Sequence, residues 1–261
     1  MLPLVESIIL ATVARLLPFN ATGRPRTETK ELLNKMVLVL ESGMSWRHLG
    51  QCTQGVDFRT VHRHFISWSR MGVFRTAYQS LIRLHSRKSR RSEYHCMDSS
   101  YVKSIYGRDC VGRNPTDRGR RATKLSAIVD SSGIPISLVA FPANTSDYKT
   151  VDATLLQRLC PTPRPCPLYA DKGYDSKKVR HDLSHAGYIA RVSQRRVSVH
   201  RVVNQRRGVV ERFFSWLDKN RRLIVRYDAY IASYMSWTWA RLLQNIGQAH
   251  VRCQKLSPTC V

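Results

Sequence analysis

The sequence predicts a mixed α/β domain preceded by a small all-helical domain. A hydrophobic repeat of helical period dominates the first third of the chain, and strand-like segments then alternate with helices. The basic run RKSRR at 87–91 separates the two regions. With 261 residues, 43% of them hydrophobic, the chain can bury two cores. We therefore predict a helical domain over 1–86, a basic linker over 87–93 and an α/β domain over 94–261. As an alternative to a linker, the basic run could serve as a nuclear address in a eukaryotic host.

The first apolar segment, at 1–19, predicts an amphipathic helix. Four of its residues fall at helical spacing: Leu4, Ile8, Ala11 and Arg15. The alternative is a signal peptide, but the segment lacks a positively charged start and contains Glu6. Elsewhere no apolar stretch reaches membrane-spanning length, so we predict no membrane association. Seven cysteines, an odd number without zinc-knuckle spacing, favour a reducing compartment.

The next segment has the pattern of a helix-turn-helix module. A helix is predicted over 28–42 and ends at Gly43, a short element follows at 45–49, and a second helix covers 57–70. On this second helix apolar residues occupy one face, whereas the opposite face carries Arg59, Arg63 and Arg70. Such an arginine face is typical of a helix that reads the DNA major groove. The alternative is a three-helix bundle with a solvated basic edge.

Beyond the linker, short strands predict the order of an RNase H-like domain. Three strands come first, the second and third joined by the hairpin turn DSSG, and helices then alternate with further strands. The predicted strands are 94–102, 123–129, 134–141, 168–170 and 188–192. The predicted helices are 150–159, 176–186, 207–222 and 230–251. We expect a mixed sheet flanked by helices.

Three acidic residues of this domain are candidate catalytic residues. Asp98 lies in the first strand, Asp171 ends the fourth strand, and Glu211 lies on a later helix. Carboxylates at two strand ends and on one helix can converge at one sheet edge. Each has a structural alternative: Asp98 as a turn residue, Asp171 as a helix cap, and Glu211 as the i,i+4 partner of Arg207. A lone carboxylate in a strand is costly without a cation, and the neighbours of Glu211 are apolar, so the set favours function.

Oxygen ligands of this kind suit Mg²⁺. Two such ions could activate an attacking water or 3′-hydroxyl and stabilise the leaving oxygen of a phosphodiester.

The charge balance indicates a polyanionic partner. The chain has 43 Lys and Arg against 18 Asp and Glu, a net charge of +25, and phosphates reward dispersed cationic contacts by releasing counterions. Charge alone does not exclude a ribosome-like basic protein, and clustered arginines also occur as solvated charge. We predict that the following residues contact DNA: Arg59, Arg63, Arg70, Arg113, Arg118, Arg120, Arg121, Lys172, Arg195, Arg196, Arg207 and Lys219.

Several motifs together resemble the DDE transposases of bacterial insertion sequences, specifically the insertion-sequence-five group. In the α/β domain they are MDSSYV at 97–102, NPTDRGRRATKLSAIVDSSGIPIS at 114–137, PANTSD at 142–147, YADKGYDS at 169–176 and VVERFFSWLDKNRRLIVRYD at 209–228. In the helical domain they are GRPR at 23–26, LLNKMVLVLESGMSWRHL at 32–49 and TVHRHFISWSRMGVF at 60–74. The motifs are collinear and cover nearly the whole chain. The sequence departs from the group's pattern at Ser146, Asn204 and Asp218, but keeps an arginine four positions before the catalytic glutamate, as Arg207.

The resemblance implies a transposase with Asp98, Asp171 and Glu211 as its catalytic and metal-binding triad. It further implies two Mg²⁺ ions, with Mn²⁺ as a possible substitute. It implies binding of double-stranded element ends and target DNA by a homodimer or higher oligomer. The protein would be located at the nucleoid in the cytoplasm of a bacterium, or in the nucleus of a eukaryotic host or its virus. The alternative is a domesticated or inactive descendant that binds DNA without cutting it.

Overall fold

The computed structural model describes residues 2–17, 27–88, 92–161, 165–193 and 201–255, which form two compact units. Within these ranges the α-helices are α1 (Pro3–Leu16), α2 (Thr29–Ser42), α3 (Trp46–Cys52), α4 (Phe58–Arg70), α5 (Val73–Lys88), α6 (Asp147–Leu156), α7 (Lys177–His185), α8 (Arg201–Asp218) and α9 (Ile231–Lys255). The strands are β1 (His95–Ser104), β2 (Gly112–Arg113), β3 (Arg121–Asp130), β4 (Pro135–Pro142), β5 (Cys166–Ala170), β6 (Tyr188–Val192) and β7 (Val225–Arg226). A 3-10 turn covers Lys172–Tyr174.

Helices α1–α5 belong to the first unit, and their boundaries follow local capping chemistry. Helix α2 ends because Gly43 adopts a left-handed conformation with φ 72°. Helix α3 begins after Ser45, whose side chain accepts a hydrogen bond from His48 N. Helix α4 begins after Asp57, whose Oδ1 accepts from Arg59 N at 2.7 Å. The helix predicted over 28–42, the short element at 45–49 and the second helix over 57–70 correspond to α2, α3 and α4.

The first unit also includes Asn220–Leu223 and helix α9, which the sequence reading had placed in the α/β domain. Helix α9 belongs to the first unit because it contributes to the aromatic core of that unit. The ring of Trp237 on α9 stacks on Phe65 of α4 at 4.0 Å and lies 5.6 Å from Trp46. A helix with so large a buried apolar face packs where other aromatic side chains can cover it.

A seven-stranded mixed sheet forms the second unit, with helices α6–α8. Its main strand order is β2-β3-β1-β5-β6, with β4 paired to β3 and β7 paired to β1. Strands β1, β3 and β4 are antiparallel neighbours, whereas β1, β5 and β6 run parallel. The expected α/β order of an RNase H-like domain is therefore confirmed, including the turn after β3, where Gly133 has φ 85°.

Some element boundaries differ from the sequence prediction. Helix α8 begins and ends earlier than 207–222, and the residues after it form the two-residue strand β7. Helix α6 begins at Asp147 instead of 150. Strands β2 and β7 were not predicted because two residues are too few to show a period.

The parallel pairing of β1 with β5 determines where two of the candidate acids lie. The register pairs His95 with Leu168 and Cys96 with Tyr169, and no further pair follows. Asp98 comes two residues after Cys96, and Asp171 comes two residues after Tyr169. The two aspartates therefore lie at the same height along the paired strands, just past the last β1–β5 pair. Crevices beyond the carboxyl ends of parallel strands are the usual position of α/β active sites.

Helices long and apolar enough to cross a bilayer do not occur in the described part of the chain.

Candidate active site

Asp98 projects from the middle of β1 into a half-buried position. Its side chain is 20% exposed, and its Oδ1 accepts a hydrogen bond from Ser99 N at 2.8 Å. Burial raises the pKa of the Asp98 carboxyl above its ordinary value, although the charge of Arg207 opposes this shift. A carboxylate in such a place gains most from a bound cation.

Asp171 and Glu211 are more open to solvent. Asp171 follows β5 directly, with an extended backbone and a side chain that is 42% exposed. Glu211 lies on α8 and is 59% exposed, so the apolar surroundings expected for it are not found. Its apolar neighbours in sequence, such as Val210 and Phe214, are buried because they project from a different face of the helix.

Arg207 lies among all three carboxylates. Its Nη2 donates to Asp98 Oδ2 at 2.9 Å and lies 3.7 Å from Glu211 Oε1, while its Nη1 donates to Asp171 Oδ1 at 3.3 Å. The guanidinium is only 12% exposed. The three acids therefore surround one positive charge, that of Arg207. The guanidinium holds the position that a metal ion shared by the three carboxylates would take.

The donor set fits a hard divalent ion, although Arg207 occupies its centre. Within the described ranges, no three His, Cys, Asp or Glu side chains are close enough to hold one ion as they stand. The guanidinium that lies between the carboxylates also has a buried Nε without a hydrogen-bond partner among the described residues. If Arg207 moved aside, the ligands would be carboxylate oxygens alone, which suit Mg²⁺ better than softer metals.

The predicted DNA-contacting residues of the second unit are mostly exposed. Arg113, Arg118 and Arg120 are exposed near the loop between β2 and β3, where Arg118 has φ 47°. Arg121 is also exposed, but its Nη2 donates to Gly107 O at 2.6 Å, so this guanidinium already has a structural partner. Lys172 and Lys219 are exposed. Arg195 and Arg196 lie outside the described residues.

The predicted arginine face of α4 is present. Arg59, Arg63 and Arg70 are all exposed. Arg59 lines a cleft of about 570 Å³ together with Arg47, beside the turn that precedes α4. Arg63 and Arg70 line a shallow groove of about 460 Å³. These cations face solvent, where a phosphate backbone could contact them.

A polar cluster that the sequence pattern does not predict lies beside the acids. Asp147 Oδ1 accepts from Lys124 Nζ at 2.8 Å and from Ser99 Oγ at 2.7 Å. Lys124 is only 2% exposed although it lies in an apolar strand. The signal available in the sequence was this lysine itself, since a lysine in the run TKLSAIV requires a buried partner.

Comparisons with known proteins give two family matches that together cover most of the chain. The family described as "Transposase DDE domain" matches residues 80–246. The family described as "Putative transposase of IS4/5 family" matches residues 10–78. A curated protein of Burkholderia cepacia, "Putative transposase for insertion sequence element IS402", is 34% identical over 161 residues, which are 57% of this chain and 76% of that protein.

One solved structure supports the fold assignment. The piggyBac transposase, determined as a synaptic complex with hairpin DNA, aligns with a TM-score of 0.53 at 11% identity. The alignment covers 99% of this chain and 74% of that one. At this identity the likeness concerns the fold alone.

Proposed function

Because the chain belongs to the family of transposases with a DDE domain, and is therefore a DNA transposase, we propose that Asp98, Asp171 and Glu211 are its catalytic triad. The proposed reaction is cleavage of DNA at the terminal inverted repeats of a mobile element, followed by transfer of the freed ends to target DNA. The observation that carries the proposal is the convergence of the three carboxylates on Arg207.

The triad would hold two Mg²⁺ ions, or Mn²⁺ in their place. Bound there, the ions would activate the attacking water or 3′-hydroxyl and stabilise the leaving oxygen of the phosphodiester. Asp98 is kept in orientation by the N–H of Ser99. Arg207 would move from the carboxylates to a DNA phosphate, which offers it an equivalent anionic partner. The other predicted DNA-contacting residues would hold the backbone.

The proposal extends to assembly and location. An element has two ends, so we propose that two or more copies act together, as is usual for symmetric oligomers. In a bacterium the site of action would be the chromosome in the cytoplasm.

A cleavage assay tests this function. Purified protein is incubated with end-labelled DNA that carries the inverted repeats flanking its gene, with and without Mg²⁺. We expect strand breaks at the repeat ends that need Mg²⁺ and leave a 3′-hydroxyl. Absence of such breaks on these repeats, while the protein binds them, would contradict the proposal.

Arginine replacement on α4 should weaken recognition of the element ends. We expect Arg59→Ala or Arg63→Ala to reduce end-binding affinity by about 1–3 kcal/mol if the side chain contacts a base edge. Competition gel shifts with repeat DNA and scrambled DNA measure this loss. Lys30→Gln is the control, since Lys30 is paired with Glu6 at 2.9 Å in the same unit. An equal loss on both DNAs would make these arginines phosphate contacts.

The exposed arginines between β2 and β3 should contribute to the salt dependence of DNA binding. We expect Arg118→Gln and Arg120→Gln each to reduce the slope of log affinity against log salt by about 0.9 per lost phosphate contact. The slope is measured by fluorescence anisotropy over a salt series. Lys178→Gln is the control, because Lys178 is paired with Asp152 and Asp182. An unchanged slope would show that this loop does not contact DNA.

A further inference from the structure

The polar cluster of Asp147, Lys124 and Ser99 touches both segments that carry the triad aspartates. Ser99 uses its N–H for Asp98 Oδ1 and its hydroxyl for Asp147 Oδ1. Asp147 is therefore linked to the Asp98 carboxylate through a single residue.

The second oxygen of Asp147 faces the segment after Asp171. A Cβ on Gly173 would lie 3.2 Å from Asp147 Oδ2, which is tighter than nine in ten real Cβ contacts. Glycine at 173 thus allows the 3-10 turn that follows Asp171 to approach the carboxylate. Tyr174, the next residue, is fully buried, and this burial raises its pKa well above 10, with further contributions from the charges of Asp147 and Asp98.

The cluster lies where β1 and β5 are no longer paired with each other. Their pairing ends at Cys96 and Tyr169, whereas Asp98 remains paired with Ala127 of β3. The separation of Asp98 from Asp171 is therefore set by side-chain contacts, which include the Arg207 guanidinium when it lies between them. Asp147 contacts β1 through Ser99 and β3 through Lys124, and its Oδ2 lies close to Gly173 in the turn after β5.

Asp147 is itself held firmly. It is the first residue of α6, and α6 is tied to β3 by Thr150 and Thr154, whose hydroxyls lie 3.3 and 3.0 Å from Ser126 Oγ. Lys124 Nζ gives the carboxylate a buried counter-charge. Loss of either member would leave the other charge without its partner, which is costly in a buried position.

We propose that Asp147 is a positioning residue of the catalytic site, which sets the distance between Asp98 and Asp171 through Ser99 and the Gly173 turn. The inference rests on the proposed function, because it assumes that these two acids bind metal together. Groups that orient metal ligands in this way typically change metal affinity or activity 10–100-fold when they are removed.

The test uses full-length protein with repeat DNA and three readouts: single-turnover cleavage rate, Mn²⁺ affinity by electron paramagnetic resonance, and end-binding affinity. We expect Asp147→Asn and Ser99→Ala to slow cleavage and weaken Mn²⁺ binding about 10–100-fold. End binding should change less than about twofold, since neither residue is among the predicted DNA contacts. The matched control is Asp152→Asn, on the same helix but in an exposed pair with Lys178 at 2.8 Å.

A double variant separates positioning from a merely structural role. Lys124→Met with Asp147→Leu removes the buried ammonium together with its partly exposed partner, so the fold should survive even where Asp147→Asn alone does not. We expect it to fold and bind ends yet cleave slowly. If the double variant or Ser99→Ala cleaves DNA and binds Mn²⁺ as the wild type does, the inference is wrong and the proposed function still stands. Failure of the wild-type protein to cleave would overturn the proposed function, and the inference with it.

Discussion

Replacement of Asp98, Asp171 or Glu211 by the corresponding amide is expected to reduce Mg²⁺-dependent cleavage of element ends at least about a hundredfold. The amide keeps the size of the side chain but removes the charge that holds a divalent ion. Affinity for the ends should stay within about threefold, because the predicted DNA contacts lie on α4 and on basic loops. Cleavage gels and binding isotherms on the same DNA measure both quantities.

Two acids near the triad provide matched controls for this prediction. Asp218 is on the same helix as Glu211, and Asp175 lies just after the turn that follows Asp171, where it is paired with Arg180 at 2.7 Å. Asp218→Asn and Asp175→Asn should retain cleavage within about tenfold of wild type. Any triad variant that cleaves at the wild-type rate would remove that residue from the site.

Removal of Arg207 should destabilise the metal-free protein. We expect Arg207→Gln to lower the free energy of unfolding by about 1–3 kcal/mol, because three carboxylates then face one another without a shared cation. The value is below that of a fully buried pair since Asp171 and Glu211 are partly exposed. Urea denaturation at low salt, in the presence of a chelator, measures the change.

Magnesium should recover part of this loss. A divalent ion would replace the missing positive charge in the variant, whereas in the wild type it must compete with the guanidinium. The Mg²⁺-induced rise in melting temperature should therefore be larger for Arg207→Gln than for wild type. Arg206→Gln is the control, since Arg206 is exposed and lies over the Tyr94 ring at 4.5 Å. If Arg207→Gln and the wild type have equal free energies of unfolding, the Arg207 guanidinium does not stabilise the three carboxylates in the metal-free protein.

Much of the second unit could be predicted because its elements carry strong local signals. Strands β3 and β4 carry apolar clusters on either side of the turn at Gly133, and Asp98 and Asp171 lie in or directly after strand patterns. The meeting of β1 with β5 then follows from the order of an α/β sheet. What brings Glu211 to the same place is the long helix α8, whose earlier start at 201 was not evident from the pattern.

Other features depend on contacts that no local pattern contains. The pairing of Arg207 with Glu211 was foreseeable from i,i+4 spacing, but its contacts with Asp98 and Asp171 join residues far apart in sequence. The apolar face of α9 predicted a helix, yet could not show that Phe65 and Trp46 would cover Trp237. Lys124 in its strand indicates a buried partner, but the sequence does not identify that partner as Asp147.

The most direct test of the account is the position of metal in a crystal of the protein bound to repeat DNA and soaked with Mn²⁺. Anomalous scattering locates the ion independently of any activity. We expect manganese to be bound by carboxylate oxygens of Asp98, Asp171 and Glu211, with the Arg207 guanidinium displaced from their centre. Arg207 still paired with all three acids in a DNA-bound crystal whose manganese lies elsewhere would contradict it.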